Sequence, residues 1–375
     1  MDAGGKRFLV PAKINGQPAT LALDTGAECL FLFKPAAERL GLKLPRVPSD
    51  TLRKNGKFPV VLTRPYEVTL FETTGKYPVA VADFSVRSDV DGCAGWEMFK
   101  KSIFQIDVAN HTIRSLPELP SGVRQWTALH MRHSSDVLCL EASASARSGV
   151  IFIDTGSYSG VALNPERWHA LTNANPHLPK TLISYYMGGS GNVIAEEAWV
   201  NNLSIGSMVL QNVPVYPASP SDLATGSWRS PYQATLGLTA LQQLDFIVDG
   251  PSGIVYVRPR QGSSRPYSYN RAGAVFTLNY PKGQPVNLIA HVLEGGPAYK
   301  AGIRNGDIVS KFNGQAIAST TNGPTYVSST QPAGTKLSFT LKRGDTVFDA
   351  VVVLEDLFPP AASETNQPAK EAELQ

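Results

Sequence analysis

Two short strings carry side chains able to do acid–base chemistry, and both are spelled the same way: Asp24-Thr25-Gly26 and Asp154-Thr155-Gly156. Each follows an apolar run, Thr20–Leu23 in one case and Val150–Ile153 in the other. An aspartate followed by a glycine that lets the chain fold back without a Cβ clash puts a carboxylate on a tight turn. The threonine adds a hydroxyl that can hydrogen-bond across an interface. One such string marks an ordinary turn. Two gain meaning if the chain brings them together, because adjacent carboxylates cannot both ionise and must share a proton. Such a pair can take a proton from water with one member and protonate a carbonyl oxygen with the other.

The flanking sequence repeats in step with them. Strand-like Phe8–Ile14 and the hairpin signal Asn15-Gly16 precede the first string, while Val137–Glu141 and a polar turn precede the second. Downstream, Gly95 leads to Phe104-Gln105-Ile106-Asp107 and Gly237 to Phe246-Ile247-Val248-Asp249, with the same separation from glycine to final aspartate in each. Ile113 then aligns with Val255, and Pro117 with Pro259. The stretch from Asp24 to Gly95 is a dozen positions shorter than that from Asp154 to Gly237, so the halves match at both ends and differ in the middle. This is a duplicated, mostly β domain. Its pseudo-twofold axis predicts that Asp24 and Asp154 face each other. Short helices are expected after Gly95 and Gly237 and near Pro35–Leu40 and Pro165–Leu171.

Composition sets the wider limits. The 375 residues allow two or three domains, and 32 Gly with 28 Pro favour tight turns and short strands over long helices. Basic and acidic residues number 34 and 31, and no Lys/Arg run tracks a phosphate backbone, which argues against nucleic acid as a partner. No run approaches the ~18 apolar residues of a membrane span. Cys29, Cys93 and Cys139 allow one disulfide at most and form no CxxC pair. The start at Met1 enters a strand pattern without a charged-then-apolar leader, as expected of a cytoplasmic protein or of one whose signal has been removed.

On these residues, both halves, over 6–260, resemble the retropepsin-like group of the aspartic protease superfamily. The resemblance is carried by Asp24-Thr25-Gly26-Ala27 and Asp154-Thr155-Gly156-Ser157. It is carried also by two elements that precede short helices, Cys93-Ala94-Gly95 and Thr235-Leu236-Gly237. It implies a mainly β, two-lobed pepsin/retropepsin-like fold, with lobes at 1–120 and 121–260 forming an intramolecular pseudo-dimer within a monomer. It implies a cleft for an extended peptide or protein substrate, with Asp24 and Asp154 as catalytic residues and no metal or organic cofactor. Thr25, Gly26, Thr155, Gly156, Gly95 and Gly237 would support the catalytic loops, the last two from segments crossing behind them. A glycine-rich flap is implied over Ile183–Asn192, where Tyr185, Tyr186, Met187, Gly188 and Gly189 would meet substrate. The first half offers only Asn55-Gly56, among Pro45, Pro48 and Pro59, and its shortfall in length is expected there. If Cys29 and Cys93 both face the cleft, as the family layout suggests, they could pair. The competing reading is an inactive peptide-binding scaffold, favoured by the poor first flap and opposed by retention of both aspartates and both threonines.

A third unit resembles a PDZ domain of the bacterial protease type, a small α+β domain expected over 269–356. Its carrying strings are Gly296-Pro297-Ala298 through Gly302-Ile303-Arg304-Asn305-Gly306-Asp307-Ile308, then Phe312-Asn313-Gly314. The resemblance implies a peptide groove near Gly273, Ala274, Val275 and Phe276, taking a peptide C-terminus, unless the unit is only structural. The groove helix falls near Pro324–Thr330, where Thr, Val and Ser are poor helix formers. Residues 261–268 read as a linker and 357–375 as a disordered tail. A protease joined to a PDZ unit resembles bacterial envelope proteins, which implies export to the periplasm or beyond, with the cytoplasm as alternative.

Other groups read as ordinary structure. Asp107 and Asp249 recur at matched positions but suit turns. His130, His133 and Cys139 lack a fourth ligand at zinc spacing. Cys29 fits a buried small hydrophobe better than a nucleophile. Glu28, replaced by Tyr158 in the other half, is a substrate contact or a solvated charge. Tyr185 and Tyr186, adjacent on a strand, should point to opposite faces.

Overall fold

A computed structural model of the protein describes residues 7–44, 60–71, 73–82, 90–110, 112–132, 136–142, 149–187, 191–218, 232–260, 267–279, 286–319 and 323–359. The expected apolar runs form strands. Leu9–Ile14 turns through Asn15 and Gly16, both at positive φ, into Gln17–Leu23. Gly149–Ile153 precedes the second Asp-Thr-Gly. The short helices also appear, at Lys34–Arg39, Pro165–Ala174 and Leu238–Leu241, with a 3-10 turn at Trp96–Met98.

The duplication is visible in strand pairing as well as in sequence. In the first half, Gln17–Leu23 runs parallel to Gly92–Ala94, which is antiparallel to Leu30–Phe33, which is parallel to Val79–Ala82. In the second, Gly149–Ile153 runs parallel to Tyr232–Leu236, which is antiparallel to Val161–Leu163, which is parallel to Met208–Pro217. The first half adds a hairpin, Tyr66–Leu70 with Thr73–Tyr77, beside Leu9–Ile14. The second half instead carries the long hairpin of Lys180–Met187 with Gly191–Ile205. The Asn55-Gly56 site expected for a first flap lies outside the described residues.

A five-stranded sheet joins the halves. Ile103–Asp107 pairs antiparallel with Leu244–Asp249, setting Ile106 against Phe246, Gln105 against Ile247 and Phe104 against Val248. Gln105 and Ile247 stand at the same offset from Gly95 and Gly237, so the local twofold passes through matched residues. Phe104, Ile106, Phe246 and Val248 are buried in one continuous core with both lobes. Burial of such side chains contributes ~1.5–3 kcal/mol each.

A separate six-stranded sheet begins at Ala274–Asn279 and has its own core around Phe276, Phe312 and Phe339. The helix Pro324–Thr330 forms despite its composition, with Pro324 in its first turn and the Ser328, Ser329 and Thr330 hydroxyls bonded back to carbonyls within the helix. Two sequence expectations need correction. Tyr267, assigned to the linker, and Leu357 and Phe358, assigned to the disordered tail, are packed: Trp199, Tyr269 and Phe358 form an apolar cluster with Tyr267 and Leu357 against it. Local composition hides this packing, because Trp199, distant along the chain in the long hairpin, supplies the partner surface. Residues 360–375 lie outside the described part. Among the described residues no helix is long and apolar enough to cross a membrane.

Candidate active site

The two Asp-Thr-Gly loops meet back to back. Thr25 N donates to Thr155 Oγ1 at 3.0 Å, and Thr155 N donates to Thr25 Oγ1 at 3.1 Å. Each hydroxyl also donates across the interface, Thr25 Oγ1 to Ile153 O at 2.7 Å and Thr155 Oγ1 to Leu23 O at 3.2 Å. Both threonines are buried. Four reciprocal hydrogen bonds therefore fix the loops relative to each other.

The glycines allow this approach. A Cβ on Gly26 would sit 2.7 Å from Asp154 Oδ1, and one on Gly156 would sit 2.6 Å from Asp24 Oδ1. Behind the loops, Asp24 N donates to Ala94 O and Trp96 N to Ala27 O; Asp154 N donates to Leu236 O and Leu238 N to Ser157 O. These crossing segments press so close that a Cβ on Gly95 would lie 2.3 Å from Cys29 O, and one on Gly237 2.5 Å from Ser159 O.

The two carboxyls lie close enough that each shifts the other's acidity. Asp24 Oδ1 accepts from Gly26 N at 2.9 Å, and Asp154 Oδ1 from Gly156 N at 2.9 Å and Ser157 N at 3.2 Å. Burial raises the pKa of both carboxyls, and for Asp154 the charge of Asp24 raises it further. Both side chains keep partial solvent exposure. Crowding by protein drives the shift while water can still reach the pair. The pair thus holds a proton near neutral pH, with its ionised form stabilised by the loop N–H groups.

A polar chain runs from the second loop that spacing did not reveal. Ser157 Oγ meets Ser159 Oγ at 2.7 Å, Ser159 Oγ meets Tyr216 OH at 2.7 Å, and the Tyr216 ring lies 5.1 Å from that of Tyr185. Tyr185 OH donates to Pro217 O at 3.3 Å. Tyr185 is thereby tied to the lobe beside Asp154. Tyr186 and Met187 continue the strand, with their side chains outside the described residues, as are Gly188 and Gly189.

All three cysteines are free thiols, so the possible Cys29–Cys93 pairing is not formed. Burial pushes the Cys93 thiol up to about 12, helped by the nearby Asp24, and burial raises Cys29 as well. Neither suits a nucleophile. Asp107 accepts from Asn110 N and from Arg260 Nη1, and Asp249 accepts from Ser252 N, as turn residues do. His130 is exposed, Cys139 is buried in the core and His133 is outside the described residues. Glu28 and Tyr158 are both exposed at matched positions.

In the six-stranded unit, Gly273 has φ +61°, Ala274 and Val275 are buried, and Phe276 stacks on Phe339 at 5.1 Å. The strand Ala274–Asn279 lies at a sheet edge, with Phe276 N donating to Thr325 Oγ1 at 3.1 Å.

Comparison with known proteins assigns two stretches of the chain. Residues 10–97 match the family model of aspartyl proteases, and residues 273–354 match that of PDZ domains. The chain thus joins an aspartyl protease domain to a PDZ domain. A relative from Hahella chejuensis (strain KCTC 2396), "Probable periplasmic serine endoprotease DegP-like", is 36% identical over 78 residues. That match spans 21% of this chain and 16% of the relative's length. A solved structure of EIAV protease complexed with the inhibitor HBY-793 is similar over 25% of this chain and 86% of that one, at 22% identity and a TM-score of 0.20.

Proposed function

We propose that this chain is a single-chain aspartic endopeptidase whose Asp24 and Asp154 share one proton and activate water. The observation that carries the reading is the reciprocal threonine lattice, which holds two neighbouring carboxyls, one from each half, at one partly exposed point. The ionised carboxylate takes a proton from water as the water oxygen attacks the peptide carbonyl carbon. The protonated carboxyl gives its proton to the carbonyl oxygen, which yields a neutral tetrahedral diol. The carboxyl that took the water proton gives it to the leaving nitrogen. The other carboxylate takes a proton from a diol hydroxyl as the C–N bond breaks and the carbonyl re-forms, and the pair returns to its one-proton state. Serine chemistry belongs to the Hahella protein; the dyad here requires neither a nucleophilic side chain nor a metal.

The division into lobes at 1–120 and 121–260 with a PDZ domain at 269–356 is supported by the repeated pairings and the separate core. Within it, Thr25, Gly26, Thr155, Gly156, Gly95 and Gly237 serve the dyad, and Tyr185 flanks it. The chain is a monomer with an internal pseudo-dimer. A protein or peptide is the substrate. The periplasmic relative supports export as the setting.

Asp24→Asn and Asp154→Asn each test the reading. Cleavage of a quenched peptide library should fall at least ~10³-fold while circular dichroism stays unchanged. Full activity in either purified variant, or none in the wild type from acid to neutral pH, would refute it; the latter result would favour a peptide-binding scaffold.

A further inference from the structure

Asn270 occupies an unusual position between the PDZ domain and the protease hairpin. It is almost fully buried, and every hydrogen-bonding group of its side chain is engaged. Its Nδ2 donates to Leu182 O at 2.9 Å and to Ala274 O at 2.7 Å. Its Oδ1 accepts from Ala272 N at 3.0 Å and from Ser328 Oγ at 2.9 Å. Its own carbonyl accepts the Thr181 hydroxyl. One residue therefore bonds to the hairpin strand Lys180–Met187, to the PDZ edge strand, to the loop before that strand and to the groove helix.

Asn270 and Thr325 between them cap the two groups an added strand needs. Ala274–Asn279 pairs on one side with Asn287–Val292 and forms the edge of its sheet on the other. Alternate residues face that edge. Ala274 O and Phe276 N both point there, and both are taken, by Asn270 and by Thr325 Oγ1. Arg271 N is likewise taken, by Ser328 O in the helix. An extended peptide adding to this edge must displace these groups. Both bonds come from one planar amide, so a side-chain rotation that frees Ala274 O also withdraws the donor from Leu182 O, which lies in a buried segment.

We propose that the PDZ groove is held shut by Asn270, Thr325 and Ser328, and that a peptide with a free C-terminal carboxylate opens it by releasing the hairpin strand Lys180–Met187. The route onward is short. Tyr185, on the same strand as Leu182, stacks on Tyr216, whose hydroxyl reaches Ser159 and through it Ser157 at the Asp154 loop. Groove occupancy and the placement of Tyr185 are thus alternatives set by one side chain. The consequence for cleavage rests on the aspartic protease reading, while the coupling itself does not.

The test uses the full chain and a fluorescein-labelled pool of hexapeptides randomised at their last four positions, with free or amidated C-termini. Anisotropy reads binding, and amide hydrogen exchange reads residues 180–187. Thr325→Val, which keeps shape and removes the cap on Phe276 N, should bind the free-carboxylate pool about fivefold more tightly than wild type, the scale of one hydrogen bond. Saturating wild type with that pool should speed exchange across 180–187 by about tenfold. Thr181→Val, which removes one of the hairpin's two hydrogen bonds with Asn270 and keeps that of Leu182 O, should show faster exchange without peptide and a smaller response to it. No tighter binding by Thr325→Val, or no binding at all, would overturn the closed groove. Unchanged exchange on saturation, or a wild-type response in Thr181→Val, would overturn the coupling. Neither readout depends on cleavage, so an inactive protein would sink the endopeptidase reading alone.

Discussion

Each of the two central threonines uses its hydroxyl twice, accepting from the other threonine's N–H and donating to a carbonyl of the opposite strand. Valine has the same shape and neither function, so Thr155→Val leaves Thr25 N–H and Leu23 O buried without partners. Losing these should cost about 2–4 kcal/mol, read from urea unfolding, whereas Thr155→Ser should lose under about 1 kcal/mol. This part of the site was legible in the sequence. A carboxylate, a hydroxyl and a glycine in three consecutive residues express their role locally, and the duplicated frame reveals the partner. Tyr216 and Asn270 were not legible, because their importance lies in contacts with residues 57 and 89 positions away, at Ser159 and Thr181. Of the polar chain that leaves the second loop, Ser157 stood in a recognised string and Tyr185 in the expected flap, whereas Tyr216 stood in neither.

Strands and hairpins were easier to foresee than the surfaces between them. Alternation and turn residues mark a strand, and the gap-free match after Gly95 and Gly237 fixed equivalent strands, but neither told that these strands pair with each other. Nor did composition foresee the hairpin face that docks on the PDZ side. Glu197, directly opposite Thr181 in the hairpin, is wholly buried there, with Tyr267 OH donating to Oε1 at 2.6 Å and Oε2 without a partner among the described residues. Burial pushes its pKa up to about 8, against which the Tyr267 hydrogen bond works. Tyr216 is the other titratable group that feels it. The folded state therefore keeps a proton on Glu197 that the unfolded chain releases above its ordinary value of 4.5. Its favourable contribution is complete below that value and declines as pH rises, until the folded carboxyl itself ionises at about 8. Glu197→Gln cannot ionise. Its melting temperature should fall less than that of wild type between pH 5 and pH 8, and parallel curves would show that the carboxyl titrates normally.

At the scale of the whole molecule, the site exists only while both halves are docked, since each supplies one carboxyl and the other's crowding. The other half's loop presses on each carboxyl: a Cβ on Gly156 would lie 2.6 Å from Asp24 Oδ1, and one on Gly26 2.7 Å from Asp154 Oδ1. The raised pKa of the pair is therefore a property of the interface built by the threonines and by the shared sheet at Phe104, Ile106, Phe246 and Val248. Asp154 is pushed up to about 8, first by burial and then by Asp24, while the loop N–H groups pull it back. Asp24 is raised also, again by burial, but Gly26 and Ala27 N–H groups and the positive charge of Arg7 oppose the rise. The one-proton state thus spans a window bounded below by loss of the remaining negative charge and above by loss of the proton. kcat/KM for a cleaved peptide should trace a bell, with its basic limb belonging to the pair and lying well above the ordinary carboxylate range. Truncating Ile106→Ala loosens the shared sheet without touching either aspartate. If docking sets the acidity, that variant's basic limb moves towards lower pH as water enters between the lobes. A limb that stays in place while stability drops would mean that each loop shifts its own carboxyl, independently of its partner.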